Sequence, residues 1–285
     1  MRDEHTVPST GRHATAVRDI ASTRRDNRAT LQRDVPMPRQ PVACYPPLNT
    51  PKPIAIDAWI VDGPIIRFGM PWPKLPFPTR MTLLRLGDGD LFVHSPTPLT
   101  DALREEIAAL GTPRWIIGPN RIHYWWIPEW KRTYPDAGVW LAPRIREQAG
   151  ARIDFDAHPL DDEGGYPWDG AISTLPVAGS FMTEVEFFHH PSRTLVLTDF
   201  IENFEAAKLG SWWMRWLTRL GGVQDPHGSM PRDMRRTFAR QRPQLKAAVE
   251  RMLAWEPERI VLAHGRWHER DGTAQLRRAF DWLLD

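Results

Sequence analysis

Four residues stand where apolar, strand-like runs give out into loops: His94 after "LFV", His123 after "IIGPNRI", Asp199 after "RTLVLT" and His264 after "RIVLA". A titratable side chain at the end of a buried strand points into the loop face where sheet folds place their sites, whereas interior strand positions mostly pack. Three imidazoles and a carboxylate form a donor set that Zn²⁺ or Fe²⁺ accepts, with bonds of about 2.0–2.2 Å to zinc and one position left for water. An ion so held lowers the pKa of its water toward about 7 and polarises a scissile carbonyl or phosphoryl group. A plainer reading is also open, in which each residue caps its strand by hydrogen bonding to loop backbone. The other histidines carry less. His5 and His13 fall in an arginine-rich leading segment, His158, His227 and His268 in polar loops, and His189-His190 in a turn expected to be exposed.

The elements that must position these four residues are read from periodicity. Residues 58–61, 65–68, 81–86 and 91–94 are β-rich pieces between proline and glycine punctuation, and they read as consecutive antiparallel strands. "LTDALREEIAALG" places Leu99, Leu103, Ile107 and Leu110 on one helical face and stops on Gly111. A strand at residues 114–117, a short helix at "IPEWKRTYP", the strand "GVWLAP" and the helix "RIREQAG" continue the alternation. Residues 172–176, 184–188 and 194–198 are strands. Then come a Trp- and Arg-rich helix in "AAKLGSWWMRWLTRLGG" and a longer helical region in which Pro243 marks a start or a kink. The strand "RIVLAHG" and the closing helix "GTAQLRRAFDWLLD" end the chain. Two sheets with helices outside bury this order naturally.

Composition narrows the setting. With 285 residues and 41% apolar content the chain can build one sizeable core. Residues 1–44 hold eight arginines against five acidic residues and few aromatics, the composition of a disordered tail; the folded domain is expected over residues 45–285. Outside the tail the charges balance, which argues against a nucleic-acid surface. The single cysteine, Cys44, excludes an internal disulfide and a cysteine-built zinc site, so any metal must sit on His, Asp and Glu. A reducing cytoplasm is the default compartment. No run approaches the roughly 18 apolar residues of a membrane span.

The order of segments resembles the metallo-β-lactamase superfamily over nearly everything beyond the tail. "LLRLGDGDLFVHSP" resembles its early hairpin, and "RWIIGPNRIHYWWIPEW" the strand, the His-x-His-x-Asp-His loop and the following helix. "LPVAGSFMTEVEFF" resembles the Pro-Gly-His region, "PSRTLVLTDFI" the strand ending in the bridging aspartate, and "RIVLAHGRW" the late His-Gly. A Trp- and Pro-rich branch classed as a domain of unknown function is more similar still. The resemblance implies an α/β fold, a four-layer αββα sandwich. It also implies a degenerate metal site: with His123 on the last histidine of the loop motif, Gly118 and Asn120 stand where the first two belong, and Ile122 replaces the aspartate. Gly179-Ser180 replaces the Pro-Gly-His step. His123, Asp199 and His264 survive as a two-histidine, one-carboxylate set, with His94 as a fourth ligand or supporting neighbour and Glu184 close by. Asn120 and Ser180 are expected to contact substrate or water.

Three functions follow for comparison. The first is a hydrolase with one Zn or Fe ion at His123, Asp199 and His264 that cleaves an ester, amide or phosphate. The second is a metal-free protein of the same fold that binds a small molecule or serves as a scaffold. Tyr124-Trp125-Trp126 either pack helix on sheet or, as substrate-binding Trp125 and Trp126, wall an apolar pocket. The third is peripheral membrane or protein contact through "SWWMRWLTR", with Trp212, Trp213 and Trp216 set among Arg215 and Arg219.

Overall fold

The computed structural model describes residues 43–68, 74–87 and 89–285; all but the last two residues of the tail expected over residues 1–44, and the centre of the turn at residues 87–90, lie outside them. The first half of the chain runs β1 (Pro51–Ala55), β2 (Ala58–Phe68), β3 (Leu75–Arg85), β4 (Asp90–His94), α1 (Asp101–Leu110), β5 (Thr112–Gly118), α2 (Ile127–Thr133), β6 (Gly138–Leu141), α3 (Ile145–Ala149) and β7 (His158–Pro159). These seven strands form one sheet in sequence order. β1 to β4 are antiparallel, and β4 to β7 are parallel with helices between them.

The second half runs β8 (Ile172–Ala178), β9 (Thr183–His189), β10 (Thr194–Leu197), α4 (Trp212–Gly221), α5 (Arg232–Thr237), α6 (Arg242–Ala254), β11 (Arg259–Leu262), α7 (Gly272–Ala279) and α8 (Asp281–Leu284). Its sheet has the order β11-β10-β9-β8, antiparallel except for the β10/β11 pair.

Strand alternation decides the layers, because successive side chains of a strand point to opposite faces. Val185, Phe187 and Val196 join a core with the first sheet, while Phe188, Leu195 and Leu197 join a second core under α6, α7 and α8. Leu103 and Ile107 of α1, Ile127 and Trp130 of α2, and Ile145 of α3 close the first core. The helix at α1 forms as its spacing predicts: Thr100 caps it by accepting from the Leu103 backbone N–H, and Gly111 ends it.

Three local differences from the expected elements have physical reasons. Residues 58–61 and 65–68 are one strand, since the Gly63-Pro64 step is absorbed as an irregularity between Asp62 and Ile65. β3 extends back through Pro76 and Pro78 because β4 pairs only with Thr82 to Arg85; the proline stretch has a free edge where a missing N–H costs no ladder bond. Pro243 starts α6 and does not kink it. His189 also differs from expectation. It ends β9 between Ile172 and Thr194, is fully buried, and pairs its Nδ1 with Ser192 Oγ at 2.7 Å. Its neighbour His190 is the exposed one.

Candidate metal centre

The parallel register of β10 and β11 pairs Leu197 with Leu262, so continuing both strands by two residues sets Asp199 beside His264 at one sheet edge. His123 arrives from the other sheet, in the loop after β5, and an isolated bridge between Asn120 and Glu184 joins the two sheets there. His123 Nε2 lies 3.3 Å from Asp199 Oδ2, His264 Nε2 lies 3.2 Å from Asp199 Oδ1, and the two Nε2 atoms are 3.3 Å apart. Four-coordinate zinc with bonds of about 2.0–2.1 Å spaces neighbouring donors by about 3.3–3.4 Å. The triangle therefore has the size of one face of such a coordination shell.

The donor chemistry agrees with the spacing. His264 Nδ1 lies 2.7 Å from the Pro78 carbonyl, which can only accept, so a neutral His264 carries its proton there and turns the Nε2 lone pair toward Asp199 and His123. His123 Nδ1 is 2.7 Å from Ser95 Oγ. Both rings are thus anchored on the nitrogen away from the triangle, the arrangement by which outer partners orient metal-ligating histidines. Burial alone would raise the Asp199 carboxyl, but His123 and His264 outweigh it and hold it well below the ordinary carboxylate range. Burial works against charge on His264 as well; the hydrogen bond and charge of Asp199, with a smaller contribution from Glu202, raise it instead.

A buried frame holds Asp199 in place. Asn120 Nδ2 donates to Asp199 Oδ2 at 2.7 Å and to Glu184 Oε2 at 3.1 Å, while Asn120 Oδ1 accepts from the backbone of Ile122 and His123. Glu184 Oε1 accepts three successive backbone N–H groups, from Thr198, Asp199 and Phe200, at 2.9–3.0 Å. One carboxylate oxygen thereby fixes the turn that aims Asp199. Burial pushes the Glu184 carboxyl up to about 7. Arg80, itself 3% exposed, donates to the Leu262 and Gly265 carbonyls and pairs with Asp62 at 2.7 Å, tying β3 to the loop that carries His264.

Not every expected site residue meets the triangle. His94 lies outside the set of donor atoms that fall within 4.8 Å of one another. It is buried edge-on to Phe187, its Nε2 has no hydrogen-bond partner among the described residues, and burial lowers its pKa to about 3, so it stays neutral. Asn120 is fully buried with both ends of its amide engaged, so its part is to position the loop and Asp199, and no face is left for a substrate. Ser180 is exposed and turned away, its Oγ donating to the Thr237 carbonyl at 2.8 Å. Trp125 and Trp126 do wall a cavity with Ile66, Ser95, Ile122 and His123, of about 20 Å³. A space of that size admits about one water.

Ser95, Pro78, Arg80 and Glu186 were not singled out in the sequence, although two of them leave a signal. "TEVEFF" sets Glu184 and Glu186 at alternate positions of an apolar strand, on one face, and Arg80 places a charge in the buried middle of β3. A charge in a buried strand needs a partner or a proton. Ser95 and Pro78 act through loop geometry that no periodicity announces.

The two layered sheets and the His–Asp set at their shared edge define a metallo-β-lactamase fold. The family model described as a domain of unknown function, DUF4336, matches residues 73–209, which include His94, His123 and Asp199 but end before His264. DIM-1 metallo-β-lactamase exposed to ceftazidime is similar at 12% identity and a TM-score of 0.54, over 82% of this chain and 95% of that one. A metallo-β-lactamase from Pontibacter korlensis is similar at 10% identity and a TM-score of 0.53, covering 82% and 98%. The metal-soaked Flv1 flavodiiron core from Synechocystis sp. PCC6803 is similar at 12% identity and a TM-score of 0.53, covering 82% of this chain and 60% of that one. No curated protein matches the sequence.

Proposed function

We propose that the protein is a metal-dependent hydrolase with a single-ion site at His123, Asp199 and His264. The observation that supports this most is the triangle of 3.2–3.3 Å between two imidazole nitrogens and a carboxylate. Bound there, a zinc or iron ion supplies a Lewis acid and makes water a nucleophile near neutral pH. The chain's own residues do the rest. Ser95 and Pro78 fix the ring orientations, Asn120 and Glu184 hold the Asp199 turn, and Ile122, Trp125 and Trp126 keep bulk water from the side of His123. Ile122 stands where the superfamily's loop motif has an aspartate, so no carboxylate of that loop orients a second ion, which favours one ion over two. The cavity beside His123 has room for about one water, the size of the attacking nucleophile, so an ester, amide or phosphate would be approached from outside it.

The reading is tested by loading purified protein with Zn²⁺ or Fe²⁺ and measuring turnover of nitrophenyl esters, a nitrophenyl phosphodiester and an anilide. We expect hydrolysis of at least one, abolished by a chelator and by Asp199→Asn. Stoichiometric metal with no turnover across the panel would leave a metal-binding protein without this activity and overturn the hydrolase assignment.

A further inference from the structure

α4 is covered on one side only. Its ten residues expose Trp212 at 80%, Trp213 at 39%, Trp216 at 61%, Leu217 at 39% and Leu220 at 46%. At about 100° per residue these five positions fill a continuous arc of about 140°. The buried positions, Met214 and Thr218, lie on the far side of the helix. Met214 packs with Phe204, Leu209 and Val223 and against Ile65, Leu75 and Phe77 of the β2–β3 arm. The core therefore anchors the helix through a different face from the one that carries the tryptophans.

Charge is arranged around the same arc. Arg215 and Arg219 are exposed and flank it beside Trp212, and residues 206–222 contain Lys208 in addition and no acidic side chain. Residues 45–285 as a whole carry 29 basic against 30 acidic side chains, so this local excess is not a property of the whole domain. The Ala43 backbone N–H donates to the Lys208 carbonyl at 2.9 Å, in the segment that leads into α4.

We propose that α4 docks the protein on an anionic lipid surface, with Trp212, Trp216 and Leu220 seated among the headgroups and Arg215 and Arg219 against lipid phosphates and carboxylates. The amphipathic ring of tryptophan suits the water–hydrocarbon boundary, and a helix with an apolar face flanked by basic residues lies in that plane. Among the described residues no helix is long and apolar enough to cross a membrane, so the contact is peripheral. Self-pairing of this face would bring like charges together, which disfavours a second copy as the occupant.

Co-sedimentation of the full chain with phosphatidylcholine vesicles, with and without phosphatidylserine, tests the proposal. Pelleting is expected only with phosphatidylserine and is expected to weaken as salt is raised. Arg215→Gln and Arg219→Gln should each lower the partition coefficient roughly fivefold. Trp212→Ala with Trp216→Ala should remove most of the binding while leaving its salt dependence in place. All four positions are exposed, and unchanged circular dichroism would show that the variants fold. Equal pelleting of wild type and variants, or none with phosphatidylserine, overturns the proposal. A concentration-dependent dimer that the tryptophan variants abolish, without vesicle binding, would assign the face to a second copy instead.

Discussion

Ser95 bears on the site through one hydroxyl and one unusual torsion. Its φ of 51° is left-handed, a region that residues with side chains seldom occupy, and its Oγ reaches His123 Nδ1 at 2.7 Å. Ser95→Gly relaxes the torsion and deletes the hydroxyl together. Stability to urea should hold or rise slightly, while metal affinity falls roughly 10–100-fold as the His123 ring loses its anchor. Unchanged affinity would show that Ser95 does not orient the ring. Glu186 is a second case. It is fully buried with neither carboxyl oxygen hydrogen-bonded among the described residues, and burial, then the charge of Glu184, raises its pKa well above the ordinary 4.5. A carboxyl raised on folding contributes stability that is complete below its unfolded value and is lost as pH climbs toward its folded value. Glu186→Gln keeps the shape without the titration, so its stability relative to wild type should increase as pH is raised above about 4.5 in urea unfolding. Parallel pH profiles for the two proteins would refute this.

Elements explain why position 118, the last of β5, holds no side chain larger than glycine. A Cβ on Gly118 would stand 2.7 Å from Ile145 Cδ1 and 2.9 Å from Ile127 Cδ1, closer than real contacts allow. α2 and α3 have closed over the position. Gly118→Ala should therefore cost about 1–3 kcal/mol of folding free energy by overpacking, and Gly118→His should fail to fold. A neutral effect of the alanine would mean that the helices yield. The same elements show what was legible in the sequence. The amphipathic α1, the apolar run of β11 and the strand ends leading to Asp199 and His264 follow from periodicity, because burial imposes the pattern directly; His123, expected to end a strand, stands in the loop five residues after β5. The joined β2 and the proline-bearing arm of β3 were hidden, since their pairing depends on which neighbour is present at each residue. The frame of Asn120 and Glu184 around Asp199 was legible only in part: its partners are brought together by the meeting of two sheets, 64 and 79 residues apart in sequence.

At the scale of the whole molecule, the centre is where the sheets are bound to each other. The loop after β5 supplies His123 and Asn120, β9 supplies Glu184, the turns just past β10 and β11 supply Asp199 and His264, and Arg80 of β3 holds the His264 loop. A ligand that binds this junction stabilises the folded state alone, by about 2.7 kcal/mol at a hundred times its Kd. Saturating Zn²⁺ should therefore raise the Tm of metal-free protein by several degrees and leave Asp199→Asn unmoved. The most direct test of the central claim is elemental analysis of protein purified without added metal, then reconstituted and desalted, for wild type, His264→Ala and Asp199→Asn. The triangle predicts one transition-metal ion per wild-type chain and far less than one in either variant. Wild-type protein that neither carries nor retains stoichiometric metal would contradict it.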